Sequence, residues 1–137
     1  KNDGVTATIK QTPGAIGYIE YGYALGAKVP MAHLQNKAGT FVYPSAESGA
    51  ATLAATQLPE NLIAWMFDPE GDKSYPSATF TWMLFYEKNA DPKKAEILRE
   101  MVEYGLTEGQ QQSAKMGYIP LPENVISAVR AAAKKIQ

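Results

Sequence analysis

Thr12-Pro13-Gly14-Ala15-Ile16-Gly17-Tyr18-Ile19-Glu20-Tyr21 is the stretch on which the fold turns. Just ahead of it, in residues 4–11, Val5 and Ile9 stand four positions apart, the spacing of one face of a short helix. Thr12-Pro13-Gly14 breaks that run, because proline has no N–H to continue a helix and glycine tolerates the turn that follows. Residues 15–21 are rich in β-branched and aromatic side chains, which predicts a buried strand, with Gly17 where a neighbouring backbone comes close. Helix, turn and strand in such quick succession point to an α/β architecture.

Further along, the element types keep alternating. Residues 31–35 and 40–43 flank the polar turn Asn36-Lys37-Ala38-Gly39, the pattern of a hairpin. Ser45 is placed to cap a helix over 46–57, which Leu58-Pro59 ends. Leu62-Ile63-Ala64-Trp65-Met66-Phe67 is an apolar run of strand length. Asp68-Pro69-Glu70-Gly71-Asp72-Lys73-Ser74 is the most polar and turn-rich stretch and predicts a linker or crossover between two units. Thr79-Phe80-Thr81-Trp82-Met83-Leu84-Phe85-Tyr86 puts apolar or aromatic groups on both faces, which predicts a central strand covered on both sides.

The remainder reads as a helix-rich C-terminal part. Asp91 as N-cap and Pro92 at the first helical position open a helix with Ile97, Leu98, Met101 and Val102 on its inner face. Thr107-Glu108-Gly109-Gln110 has the spacing of a capping box for a second helix, with Gly117 placed to end it. A last helix begins near Pro122. It carries Val125, Ile126, Val129, Ala132, Ala133 and Ile136 on one stripe, opposite Glu123, Arg130 and Lys134, and is expected to dock on the preceding strand.

Composition narrows the function. The 137 residues are 45% hydrophobic and 20% charged, enough apolar material for one ordinary core of a soluble globular protein. Thirteen basic and fourteen acidic residues are spread along the chain, so no basic stripe exists to neutralise a nucleic-acid backbone, and no nucleic-acid partner is expected. The absence of cysteine removes disulfides, thiol nucleophiles and Cys-rich zinc sites. No apolar run approaches the roughly 20 residues of a membrane helix, so no transmembrane segment is expected, and Lys1-Asn2-Asp3-Gly4 has no apolar signal-peptide region.

No catalytic or metal site assembles from the residue pattern, and no cofactor is implied. His33 has no second histidine or cysteine beside it and reads as a hairpin histidine. Asp68, Glu70 and Asp72 loosely follow a calcium-loop spacing, but Pro69 interrupts it and the downstream bidentate glutamate is lacking. Ser45, Ser48 and Ser77 have neither the G-x-S-x-G context nor a base. Glycines 14, 17, 22 and 26 do not form G-x-G-x-x-G, and no Walker lysine follows them. Trp65, Trp82, Tyr75 and the tyrosines of residues 17–23 alternate with aliphatic residues, which favours core packing over a stacking surface for bases or sugars.

Beyond this pattern, Asn2-Asp3-Gly4-Val5 followed by residues 12–21 closely resembles a stretch in the second half of phosphate-specific periplasmic solute-binding proteins of ABC importers. The resemblance continues through Leu34-Gln35-Asn36-Lys37-Ala38-Gly39, Pro44-Ser45 with Glu47-Ser48, Tyr75-Pro76 with Thr79-Phe80-Thr81, Gly109-Gln110, and Gly117-Tyr118-Ile119-Pro120-Leu121-Pro122. Ser77 departs from it, standing where the family usually has an aliphatic residue after Tyr-Pro.

This resemblance implies the C-terminal half of such a receptor and a partial type II, bilobal periplasmic-binding-protein fold. Residues 1–74 would belong to the second lobe, and residues 75–137 would return to complete the first. It further implies a non-catalytic role outside the cytoplasm, periplasmic or cell-surface associated, in which inorganic phosphate is delivered to ABC permease subunits. The family's anion contacts come from loops and helix starts of the first lobe, with an arginine and a Ser-Gly-Thr loop of the second. All lie upstream of the positions matched here, so the expected partner in phosphate binding is an N-terminal portion. Asn2 and Asp3 are the candidates for the pocket edge, beside end-fraying as their structural reading. Two other classes stay open: a phosphatase-like enzyme acting on phosphoesters, and an interaction module whose tail helices, 91–136, dock on another chain.

Overall fold

A computed structural model describes all residues, 1–137. The chain forms six α-helices and two small antiparallel hairpins: α1 (Asn2–Gln11), α2 (Tyr21–Ala27), β1 (Leu34–Gln35), β2 (Phe41–Val42), α3 (Ala46–Ala55), β3 (Met66–Phe67), β4 (Ser77–Ala78), α4 (Pro92–Leu106), α5 (Gln110–Ser113) and α6 (Glu123–Ala133). A 3₁₀ turn, Ala114–Met116, extends α5. Helix and strand are mixed as expected, but no parallel sheet forms, and each sheet has two strands.

Local signals account for several elements. Helix α1 stops at Thr12, and Gly14 takes φ +80°, a conformation that side chains rarely adopt. Ser45 caps α3 as expected, its hydroxyl accepting from the Ser48 N–H at 3.1 Å while Ser48 Oγ accepts from the Ser45 N–H at 2.9 Å. Asp91 accepts from the Lys93 N–H at 2.9 Å, with Pro92 opening α4. The hairpin pairs Leu34 with Val42 and Gln35 with Phe41 across residues 36–39.

Three strand expectations fail in whole or in part, for related reasons. Residues 15–20 are extended but not a strand: Ile16 is 99% exposed, and the N–H groups from Ile16 to Ile19 find no backbone acceptor. A strand is defined by its partner, and no other segment of these 137 residues runs alongside. Gly17 does mark a close approach, but by the side chains of Val5 and Ile9 on α1, which a Cβ would meet at 2.9 and 3.2 Å. Residues 79–86 likewise form no ladder, and Leu84 is 92% exposed rather than covered on both faces. In the 62–67 run only Met66 and Phe67 pair, with Ala78 and Ser77.

Among the helices, the inner face of α4 is Ala95, Leu98, Arg99, Val102 and Leu106, leaving Ile97 and Met101 exposed. Helix α6 sets that face: it packs on α4 and α3, not on a strand, with Val125 and Ile136 buried. The capping box at 107–110 does not form. Thr107 Oγ1 donates back to the Glu103 carbonyl at 2.8 Å, and Gln110 Nε2 donates to the Gly105 carbonyl at 2.7 Å, so both side chains finish α4 rather than start α5. Gly117, at φ +79°, does end the helical turn before it.

The core is thin. Leu53, Ala64, Met66, Ala95, Leu106, Val125 and Ile136 are buried, yet the accessible surface is 9667 Å². A compact monomer of 14.9 kDa has about 7,000 Å². The difference, roughly 2,600 Å², is surface that a closed globule of this mass would bury.

Candidate functional site

Asn2 opens α1, and Glu20 sits at the N-cap of α2. Asn2 Nδ2 donates to Glu20 Oε2 at 2.8 Å, while its Oδ1 accepts from the Glu20 N–H at 3.2 Å. The two side-chain atoms of Asn2 are thereby spent on holding two helix starts together, which accounts for an asparagine here without end-fraying. Asp3 is exposed in the first turn of α1, where its charge complements the positive helix end. The carboxylates of Asp3 and Glu20 thus belong to the same end of the molecule as the cationic Lys1.

The 68–74 segment is not a free solvated loop. Asn36 Nδ2 lies 3.2, 2.9 and 3.1 Å from the carbonyl oxygens of Gly71, Asp72 and Ser74, and Asn36 Oδ1 accepts from the Thr40 N–H at 3.0 Å. Asp68 Oδ1 accepts from the Lys37 N–H at 2.8 Å, and Lys37 Nζ pairs with Glu70. That pairing, chiefly the hydrogen bond to Glu70, raises the Lys37 pKa above its ordinary 10.5. On the far side, Tyr75 N–H reaches the Ser48 carbonyl at 3.4 Å, and Thr52 Oγ1 donates to the Tyr75 carbonyl at 2.8 Å. Partial burial pushes the Tyr75 phenol up from 10.0. The acidic residues of this segment hold the β1–β2 turn, and no three His, Cys, Asp or Glu side chains converge to hold a metal.

The remaining residues singled out in the sequence are dispersed. His33 lies exposed beside the Tyr43 ring, centroids 4.9 Å apart. Ser45 and Ser48 are consumed by the α3 cap, and Ser77 is exposed on β4. The aromatic residues are not core. Trp65, 66% exposed, stacks on exposed Phe67 with centroids 6.2 Å apart, and Trp82 meets Trp65 edge-on at 5.7 Å. Trp82 is tethered by its Nε1–H to the Leu62 carbonyl at 2.9 Å. Alternation along 62–67 buries Ala64 and Met66 and turns Ile63, Trp65 and Phe67 outward, so the larger side chains took the open face.

Two surface hollows stand out among several. One, of about 330 Å³, is lined mainly by apolar groups of Leu58, Pro59, Leu62, Ala128 and Ala131 and rimmed by the Lys135–Glu60 pair at 3.0 Å. The other, of about 340 Å³, lies between α4 and α6. Its guanidinium groups are already engaged: Arg130 binds Glu103 in bidentate fashion at 2.8 and 2.9 Å, and Arg99 Nη1 donates to the Ile136 carbonyl at 2.5 Å. The hydrogen bond to Arg130 holds the Glu103 carboxyl below its usual 4.5. A tetrahedral oxyanion is held by convergent N–H groups, hydroxyls and a free arginine, and neither hollow presents that set.

The chain is similar along nearly its whole length to binding proteins for a small oxyanion. It is 36% identical to the phosphate-binding protein PstS of Methanocaldococcus jannaschii over 90% of its residues, and 34% and 31% identical to those of Pasteurella multocida and Xylella fastidiosa over 95%. No family model matches the chain. It is a partial counterpart of these proteins: it spans 35%, 38% and 36% of the length of these three relatives. The resemblance read from residues 2–5 and 12–21 is borne out, on a span nearer a third than a half.

Proposed function

We propose that the chain is part of an extracytoplasmic, non-catalytic receptor that binds inorganic phosphate and delivers it to the permease subunits of an ABC importer. The observation that carries this reading is the likeness to phosphate-binding proteins over 90–95% of the chain. In this reading the fold is part of a bilobal periplasmic-binding-protein architecture, with residues 1–74 in the second lobe and 75–137 completing the first. Asn2 and Asp3 keep their place at the pocket edge, and the anion donors proper come from further polypeptide.

The surface supports the need for that further polypeptide. Ile16, Tyr18, Trp65, Phe67, Leu84 and Tyr86 are exposed on extended segments whose backbone groups are largely unpaired. Strand edges of this kind are completed by other strands. An interaction reading coexists with the receptor reading, and its surface includes these extended segments beside the tail helices, whose Ile97 and Met101 are exposed. A phosphatase would need a nucleophile, a base and an orienting group in reach of one another. Ser45 and Ser48 cap α3, and His33 pairs with Tyr43.

Titration calorimetry with phosphate tests the proposal. The 137-residue chain alone is expected to show no tight binding. Binding is expected once polypeptide carrying the family's arginine and Ser-Gly-Thr loop is supplied. A tight site in the isolated chain, or none in the completed receptor, overturns it.

A further inference from the structure

Residues 116–119 run between α2 and α3 at distances that exclude ordinary side chains. A Cβ on Gly22 of α2 would lie 3.1 Å from Gly117 Cα and 3.2 Å from the Met116 carbonyl oxygen. The reciprocal Cβ, on Gly117, would fall 2.4 Å from Gly22 Cα, well inside any real contact. On the other flank, a Cβ on Gly49 of α3 would fall 2.0 Å from Ile119 Cδ1. Backbone touches backbone on one side, and an isoleucine fills the place of a side chain on the other.

The same segment is fixed to the helices that precede it. Tyr118 N–H donates to the Ser113 carbonyl at 2.9 Å. Gln110 reaches both ways, its Nε2 donating to the Gly105 carbonyl at 2.7 Å and its Oε1 accepting from the Leu121 N–H at 2.7 Å. Helices α2 and α3 lie before residue 75, whereas residues 110–121 lie after it. One short strap therefore joins the two parts of the chain: a side chain at 117 would meet backbone well inside contact distance, one at 22 would press on backbone, and one at 49 would displace the Ile119 side chain.

We infer that Gly22 and Gly117 are positioning residues for anion capture: their contact at the 116–119 strap holds the two parts of the receptor in the arrangement that binds phosphate. The inference rests on the receptor reading above. No group in the strap touches the ligand. It acts through the population of the seated arrangement, and apparent affinity falls in proportion to the fraction of molecules that are competent.

Four alanine substitutions separate contact from backbone strain. Gly26 is also in α2, but nothing lies within 4 Å of its Cβ, so G26A reports helix preference alone. Gly14 has φ +80° with nothing near its Cβ, so G14A reports the cost of that backbone conformation alone. G22A and G117A add the contact. In amide hydrogen exchange on the chain, protection at residues 116–121 is expected to drop in G22A and G117A and to stay unchanged in G26A and G14A. In the completed receptor, G22A is expected to weaken phosphate binding by about tenfold relative both to wild type and to G26A, as a shift in competent population predicts.

Two results overturn the latch: exchange that is alike in G22A and G26A and alike in G117A and G14A, or phosphate affinity unchanged in G22A despite a loosened strap. A completed wild-type receptor that fails to bind phosphate overturns the receptor reading instead, and the exchange comparison is read without it.

Discussion

The side-chain amide of Asn36 donates to the Ser74 carbonyl at 3.1 Å, joining positions 38 residues apart inside the protein. Both residues are buried, and the same nitrogen faces the carbonyls of Gly71 and Asp72. A turn of a small hairpin thus organises the segment that the sequence presents as a linker.

Replacing Asn36 with alanine removes the donor from these carbonyls and the acceptor from Thr40. Leaving buried polar groups unsatisfied costs about 1–3 kcal/mol, so N36A is expected to lower stability by that order in urea unfolding. Limited proteolysis is expected to cut residues 68–74 faster, and an unchanged cleavage rate would show that the segment is held by something else.

Ser45 and Ser48 satisfy each other's backbone N–H at the start of α3. Loss of such a cap costs about 1 kcal/mol. S45A and S48A should each destabilise by that order, and the double variant by less than the sum, because one reciprocal unit is lost in either case. Strictly additive unfolding energies would contradict the capping box.

Leu53 is buried between α3 and its neighbours, whereas Leu84 is 92% exposed. L53A is expected to cost about 2–5 kcal/mol as a core truncation. L84S should change the stability of the isolated chain by less than about 0.5 kcal/mol, as surface substitutions do. In the completed receptor, L84S is expected to impair assembly, measured by light scattering of the mixed polypeptides. Equal assembly with and without the substitution would remove residues 79–86 from the proposed interface.

Glu103 and Arg130 join α4 to α6. The hydrogen bond to Arg130 depresses the Glu103 pKa, so this carboxylate contributes stability that is present above 4.5 and is lost as pH falls through its lower, folded value. The pair is exposed, so the effect is small and screened by salt. E103Q should flatten the acid side of the pH–stability profile just below 4.5 and leave the neutral region nearly unchanged. A wild-type profile without that slope would argue against the pair.

What was legible lay in short-range chemistry. The end of α1 at Thr12, the β1–β2 hairpin, the Ser45 cap, the Asp91-Pro92 start of α4 and the stop at Gly117 each depend on a few adjacent residues. The Gly22–Gly117 approach gave only the hint of two glycines in otherwise apolar surroundings, because nothing local says which backbone will come near. Asn36 gave less, as a turn asparagine needs no buried role. The extended segments at 15–20 and 79–86 misled for the opposite reason: their side chains suit a strand, but a strand also needs a neighbour.

Residue order by itself determined the end of α1, the starts of α3 and α4, the β1–β2 turn and the kinship with phosphate-binding proteins, since each is written in side-chain types at fixed spacing. Tertiary structure alone decided which apolar faces are covered, that Gln110 closes α4 and holds Leu121, and that a strap seats between Gly22 and Gly49. Burial and pairing are properties of two surfaces at once. A single stretch of chain specifies one surface and leaves the other to whatever the fold brings against it.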